Sequence, residues 1–288
     1  MRGYYEKLSG GIGINMAMKR KKITSSLILL FCLLLISCGC YVGDYYRSTD
    51  EAEEYAKETE QAGKLNIKEI EGGLLIDGPG SENALIFYPG AKVEYSAYLP
   101  LLCELAEEGM DVFLIRMPAN LAILGADKAD DILESYSYAN WYIGGHSLGG
   151  AMAANYAADF VPEEKEASAK SGQKKDNDTA EKSKESEKSE GSLKGLILLA
   201  AYPTKDLSES GLKVLTIYGS EDSVLSREKL EEGRKYLPKD AHELVIEGGN
   251  HAQFGCYGEQ KGDGKASVSA EKQREQTVEA IVELLNKD

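Results

Sequence analysis

The sequence predicts an α/β fold: a mainly parallel sheet covered by helices on both faces. Three observations carry that expectation. Continuous apolar runs recur at Ala84–Tyr88 (ALIFY), Asp111–Met117 (DVFLIRM), Gly195–Ala200 (GLILLA) and Lys213–Tyr218 (KVLTIY), the pattern of strands buried on both sides. Helical patterns separate most of them, which is the alternation of βαβ units. At Asn140–Asp159 an apolar stretch, a glycine turn and a small-residue helix follow without a break.

Length and composition set the bounds. The 288 residues suffice for one large domain of this type, and 42% hydrophobic content supports a core. Formal net charge is −15; residues 1–37 hold six Lys/Arg and one Glu, so the remainder carries 27 Lys/Arg against 47 Asp/Glu, a net −20. Phosphate binding needs a basic footprint, which argues against nucleic acid as a partner. The five cysteines, Cys32, Cys38, Cys40, Cys103 and Cys256, match neither a zinc spacing nor a disulfide framework. Cys103 falls on a predicted helix, where a small buried hydrophobe is the simplest role.

The chain opens with residues 1–37, an extension and a signal or anchor segment. Met1–Asn15 shows no hydrophobic periodicity, and Met16 or Met18 makes a better beginning, with Lys19-Arg20-Lys21-Lys22 as a basic n-region. Ile23–Ile36 is the apolar h-region, closed by Leu35-Ile36-Ser37-Cys38. That tetrapeptide resembles a bacterial lipobox, which implies lipidation of Cys38, with Cys40 a second acylation candidate. The rival is an uncleaved anchor, because Ile23–Val42 is about long enough to span a bilayer. Both place the following domain outside the cytoplasm, tethered to a membrane. Residues 38–64 are polar and acidic, helical at Glu51–Gln61, and read as a tether.

The domain proper is expected over residues 65–288. Leu65–Ile76 alternates around Gly72-Gly73 as a hairpin. Ala84–Tyr88 is the first core strand, and Pro89-Gly90-Ala91-Lys92 breaks it. Helix Tyr98–Glu108, strand Asp111–Met117 and helix Ala126–Tyr136 follow, the last with Asp130, Asp131 and Glu134 on its wet face. After the alanine helix, residues 163–192 contain no aromatic and no branched aliphatic residue. Such a stretch cannot bury enough apolar area to offset its ordering entropy, so it is expected to be a disordered surface insertion. The core resumes with the two strands at 195–200 and 213–218, helix Ser226–Tyr236, strand Glu243–Ile246 and the amphipathic helix Ser269–Asn286.

The chemistry centres on Gly145-His146-Ser147-Leu148-Gly149. A bare G-x-S-x-G would arise by chance roughly 0.1–0.3 times in a chain this rich in glycine, so its context decides. Strand before and helix after make it a nucleophile elbow: a serine on a strained turn, flanked by residues small enough for strand and helix to approach. A serine hydroxyl needs an adjacent base, itself oriented by a carboxylate. Of three histidines, His146 lies inside the elbow and should pack beneath it, and His242 begins a strand among charged neighbours. His251 follows the last strand on the Gly248-Gly249 loop, where sites in such sheets collect, and is the candidate base. Asp222, after the strand ending at Tyr218, is the candidate acid; Glu221 is second and Asp206 third, and a helix N-cap is the alternative role for Asp222. Two N–H groups, those of Leu148 and Ala91, are the candidate oxyanion donors.

The order of strand, Pro89-Gly90-Ala91 loop, elbow serine, Asp222 after a strand, Gly248-Gly249-Asn250-His251 and final helix resembles the α/β-hydrolase fold superfamily over Ala84–Asn286. It is nearest to compact, dienelactone-hydrolase-like members. The resemblance implies an eight-stranded or slightly reduced sheet and a Ser147–Asp222–His251 triad working through an acyl-enzyme. Tyr88-Pro89-Gly90 stands where His-Gly is usual, and Ala201–Leu212 is too short for a large cap domain, which implies an open site. The expected activity is a membrane-tethered serine hydrolase acting on a small ester or related acyl substrate, with no metal and no organic cofactor. A non-catalytic lipoprotein binding a ligand or cell-wall component is the rival, and a peptidase or acyltransferase would use the same residues. Asn250, Gln253 and Tyr257 beside His251 suggest a modestly polar substrate.

Overall fold

The computed structural model of the chain describes residue 39 and residues 43–80, 82–172 and 192–286. Tyr45–Asp288 forms one compact unit and Met1–Asp44 another. The predicted h-region and Cys38, the expected lipidation site, lie outside the described residues. Among the described residues no helix is long and apolar enough to cross a membrane.

The larger unit is built on an eight-stranded sheet of order β1-β2-β4-β3-β5-β6-β7-β8. Strands β1 (Asn66–Ile70) and β2 (Gly73–Asp77) form the predicted hairpin, and β2 pairs antiparallel with β4 (Met110–Ile115). All other pairs are parallel: β3 (Asn83–Tyr88), β5 (Asn140–His146), β6 (Ser192–Leu199), β7 (Lys213–Gly219) and β8 (His242–Ile246). Parallel strands need crossovers, and helices α1 (Asp50–Gln61), α2 (Leu99–Glu107), α3 (Ala129–Ser135), α4 (Leu148–Gly172), α5 (Arg227–Gly233) and α6 (Ala270–Leu285) complete the layers. The architecture is the expected one, and among the described residues no large cap covers the sheet.

The uninterrupted apolar strands follow from burial on both faces. Along β3, Leu85 and Phe87 join the core cluster containing Leu102, Leu105 and Ile281, while Ile86 and Tyr88 join the cluster containing Ile132, Trp141 and Ala154. Side chains alternate across a strand, so a strand buried on both sides must be apolar throughout. Cys103 is fully buried among the first cluster, and burial pushes its thiol up to about 12.

Two boundaries differ from the sequence reading. Residues from Tyr45 onward belong to the domain rather than to a tether. Helix α1 buries Ala52, Ala56 and Thr59 beside α2, and Tyr55 Oη donates to Glu104 Oε1 at 3.1 Å while Arg274 Nε donates to the same oxygen at 2.7 Å. The helix escapes a hydropathy reading because its inner face is made of alanine and threonine. Helix α4 continues to Gly172, ten residues into the stretch expected to be disordered from Glu163 on. Glu, Lys and Ala dominate there, and these residue types lack bulk for a core but have high helix propensity. Residues 173–191 lie outside the described residues.

Candidate active site

The parallel strands end in register. Tyr88 of β3 pairs with Gly145 of β5, His146 of β5 with Leu199 of β6, and Gly219 of β7 with Ile246 of β8. The loops that leave these ends therefore share one rim, and the sequence-predicted residues sit on them.

Ser147 occupies the turn from β5 to α4 with φ 53°, a left-handed conformation that a non-glycine residue rarely adopts. Its N–H donates to Leu199 O at 2.8 Å, and its carbonyl accepts from Ala151 N at 3.1 Å, so the turn is held from both sides. The flanking glycines are required by a third strand as well as by the turn. A Cβ on Gly145 would lie 2.4 Å from Tyr88 O, and one on Gly149 would lie 2.1 Å from the same oxygen. Among the described residues, the N–H groups of Leu148 and Ala91 and the Oγ of Ser147 carry no hydrogen bond to the protein. Leu148 is the first residue of α4, where an N–H has no intrahelical acceptor.

His251 and Asp222 are brought together. His251 Nδ1 lies 2.8 Å from Asp222 Oδ2, with the two residues 2% and 5% exposed. The other carboxylate oxygen, Oδ1, accepts from Val224 N at 2.9 Å and Leu225 N at 2.8 Å, which fixes the plane of the acid. The alternatives are placed elsewhere: Glu221 and Asp206 are exposed, and Asp206 accepts from Ser208 N. The cap of α5 is Ser226, whose Oγ accepts from Lys229 N, so Asp222 does not fill that role.

Residues with no chemical signature in the sequence hold this pair in place. The acid loop and the histidine loop are laced together, Ser220 N donating to Ile246 O and Glu221 N to Gly249 O, each at 2.9 Å. Gln273, fully buried on α6, clamps Asn250: its Oε1 accepts from Asn250 N at 3.0 Å and its Nε2 donates to Asn250 O at 2.8 Å. On the other side of His251, Ala252 N donates to Asp263 Oδ2 at 2.8 Å. Asn250 is thereby committed to holding the loop, with Nδ2 on Gly264 O, and Tyr257 is buried against Tyr46. Neither serves as the substrate-facing polar group that proximity in sequence suggested.

His146 packs beneath the elbow as expected, and it does more than fill space. Its Nδ1 lies 2.8 Å from Tyr98 Oη, which accepts from Gly90 N at 3.0 Å, and its ring centroid is 4.4 Å from that of His251. Burial first, then repulsion from His251, holds the His146 imidazole well below the ordinary histidine range, so it is neutral. Burial pushes the Tyr98 phenol upward. The Tyr98 hydroxyl, which accepts from Gly90, is thereby shared with His146 Nδ1. A buried chain thus runs from the β3 loop, one residue before Ala91, to the residue before Ser147.

Tyr98→Phe leaves the Gly90 N–H and the His146 Nδ1 buried without partners. Urea unfolding should show a loss of about 1–3 kcal/mol; an unchanged midpoint would show that the chain of bonds carries no stability. His146 also sets a pH dependence. The unfolded chain protonates this histidine near pH ~6.5 whereas the folded chain does not, so the unfolded state binds more protons below that value. Stability should therefore fall as pH drops from about 6.5 to 5, with up to ~1.4 kcal/mol per pH unit from this residue. His146→Asn should flatten that slope in urea titrations across the same window.

Two grooves, of about 300 Å³ between β8 and α6 and about 320 Å³ beside α1, α2 and residues 253–256, are lined by neither Ser147 nor Ala91. Among the described residues no cluster of three or more His, Cys, Asp or Glu side chains is arranged to hold a metal ion.

A family model described as the alpha/beta hydrolase family matches residues 84–168 and 179–275, well over half of the chain. The chain belongs to the alpha/beta hydrolase family. No curated protein matches its sequence. Among solved structures, this hydrolase-family chain is similar to TT1662 from Thermus thermophilus, at TM-score 0.50 and 12% identity, over 78% of this chain and 99% of that one. It is also similar to a dienelactone hydrolase from Anabaena variabilis (TM-score 0.48, 15% identity, 77% and 97% covered). A monoacylglycerol lipase from Paleococcus ferrophilus gives TM-score 0.49 and 13% identity, with 76% and 99% covered. At 12% identity the likeness to TT1662 is one of fold.

Proposed function

We propose that this member of the alpha/beta hydrolase family is a membrane-tethered, extracytoplasmic serine hydrolase that cleaves carboxylic esters or related acyl compounds. The observation that carries the reading is the buried His251–Asp222 pair, 2.8 Å apart, on the same sheet rim as a serine held at φ 53°. A surface ion pair would not be walled off from water in this way, and the strained turn has no evident structural purpose.

The chemistry follows from the geometry. Ser147 Oγ attacks the acyl carbon while its proton passes to His251 Nε2, the ring nitrogen left unbonded when Nδ1–H is held by Asp222. The carbonyl oxygen becomes an oxyanion and takes hydrogen bonds from the N–H groups of Ala91 and Leu148, each such donor being worth roughly 10²–10³ in rate. Collapse of the tetrahedral intermediate breaks the bond to the leaving alkoxide, which receives the proton from His251. Water then repeats the sequence on the acyl-enzyme, giving up a proton to His251, and Ser147 is restored.

Activity-based labelling tests both halves of the reading in one experiment. A fluorophosphonate probe should label the full chain in the membrane fraction. Labelling should vanish in Ser147→Ala and move to the soluble fraction in Cys38→Ala, where the expected lipidation is blocked. Labelling that survives the Ser147 change would end the serine-hydrolase reading; label that stays with the membrane in Cys38→Ala would point to an uncleaved anchor.

A further inference from the structure

We propose that the part of the active-site rim carrying Ile123 and Leu124 docks on the bilayer that holds the chain's own N-terminal anchor; this rests on the tethering half of the function proposed above. Among the described residues four large aliphatic side chains stand exposed, and three of them lie on loops at the carboxyl edge of the sheet: Ile123 at 62%, Leu124 at 59% and Val224 at 37%. Val224 is two residues from Asp222. Ile123 and Leu124 are adjacent in a short 3-10 turn that packs against α4, and the residue before them, Ala122, is fully buried and fixes the turn. Asn120 O in the same loop accepts from Lys92 N at 2.7 Å, so the apolar pair is joined to the loop of Ala91.

The covalent chain enters the domain at this rim. Tyr46 N donates to Lys92 O at 2.7 Å, Glu94 N donates to Tyr46 O at 2.9 Å, and Tyr46 Oη accepts from Lys261 N at 3.1 Å. Thr49 N donates to Cys256 O at 2.9 Å. Residues 46–49 thus strap the Ala91 loop to the loop that follows His251. From Tyr46 back to Cys38 the chain can reach at most ~28 Å even when fully extended. A domain of this size is about 45 Å across. An anchor fastened at the rim therefore cannot let the opposite edge, at the amino ends of the strands, reach the bilayer. The rim with its exposed aliphatic pair is the face within reach, and the tether keeps it at a high effective concentration there, so two side chains suffice. The acidic domain would be repelled by anionic lipid, which makes a zwitterionic surface the cleaner probe.

The test uses the full chain in phosphatidylcholine vesicles with or without acyl chains brominated at mid-depth. Trp141 is the sole tryptophan and is fully buried, so it supplies a constant background. Leu124→Trp should lose at least about half of its added emission to brominated lipid, and Ile123→Trp should behave alike. Lys239→Trp, on the exposed turn before β8, should lose none. Flotation of the vesicles reads attachment separately, and fluorophosphonate labelling reads the hydrolase chemistry. Protein that floats while Leu124→Trp and Ile123→Trp resist quenching overturns the docking inference alone. Protein that fails to float overturns it together with the tethering reading. Emission of these variants that shifts with protein concentration but not with bromination would mean a second copy covers the pair, and it also overturns the inference.

Discussion

Ser147→Ala should lower kcat on p-nitrophenyl acetate by about 10⁶ without unfolding the protein. Removing the nucleophile of a triad costs nearly as much as removing all its members, because the base and acid act only through it. The fold should tolerate the change to within about 0.5 kcal/mol: the hydroxyl makes no hydrogen bond to the protein among the described residues, so its loss strands no partner. Ser147→Gly supplies the contrast. It removes the same hydroxyl but also relieves the left-handed strain at φ 53°, so it should be as inactive and more stable by about 1 kcal/mol. Steady-state kinetics and urea unfolding on the three proteins decide the matter. Residual activity within a hundredfold of wild type would place the nucleophile elsewhere.

The second large effect is expected at Asp222. Asp222→Asn should cost about 10⁴ in kcat while leaving the fold in place. The amide keeps an oxygen for the N–H groups of Val224 and Leu225, now 2.9 and 2.8 Å from Oδ1, but presents its NH₂ to His251 Nδ1. The imidazole must then carry its proton on Nε2, the atom that has to accept one from Ser147. Asp222→Ala is the poorer test. It strands the His251 Nδ1–H and two backbone N–H groups in a buried place, at about 1–3 kcal/mol for each group, and so mixes instability with lost chemistry. An Asp222→Asn enzyme within tenfold of wild type would make the pair structural.

The sequence was most legible where one residue type admits few environments. Apolar runs such as Ala84–Tyr88 and Lys213–Tyr218 had to be doubly buried strands, and they are β3 and β7. Gly145 and Gly149 beside Ser147 signalled a tight elbow, and the structure adds the carbonyl of Tyr88 as the group they make room for. His251 and Asp222 emerged by elimination among few candidates and proved to be hydrogen-bonded partners. Less was legible where the partner lies far off in sequence. Tyr98 read as the first residue of an amphipathic helix, yet it bonds both Gly90 and His146. Gln273 read as one polar residue of the last helix, yet it clamps the residue before His251. Alanine-faced α1 read as a tether because its packing surface carries no bulk.

By itself the sequence determined the fold class, the tight turn at Ser147 and the candidates for acid and base, because local period, glycine placement and the scarcity of histidine restrict those outcomes. Only the tertiary structure decided which loops are laced together, that Tyr45 onward is domain, and that the strap at Tyr46 meets the rim carrying Ala91. Those depend on hydrogen bonds and close approaches between residues tens to hundreds of positions apart. No local pattern records such contacts, since a buried tyrosine or glutamine has the same sequence signature whether it merely fills space or holds the loop of His251.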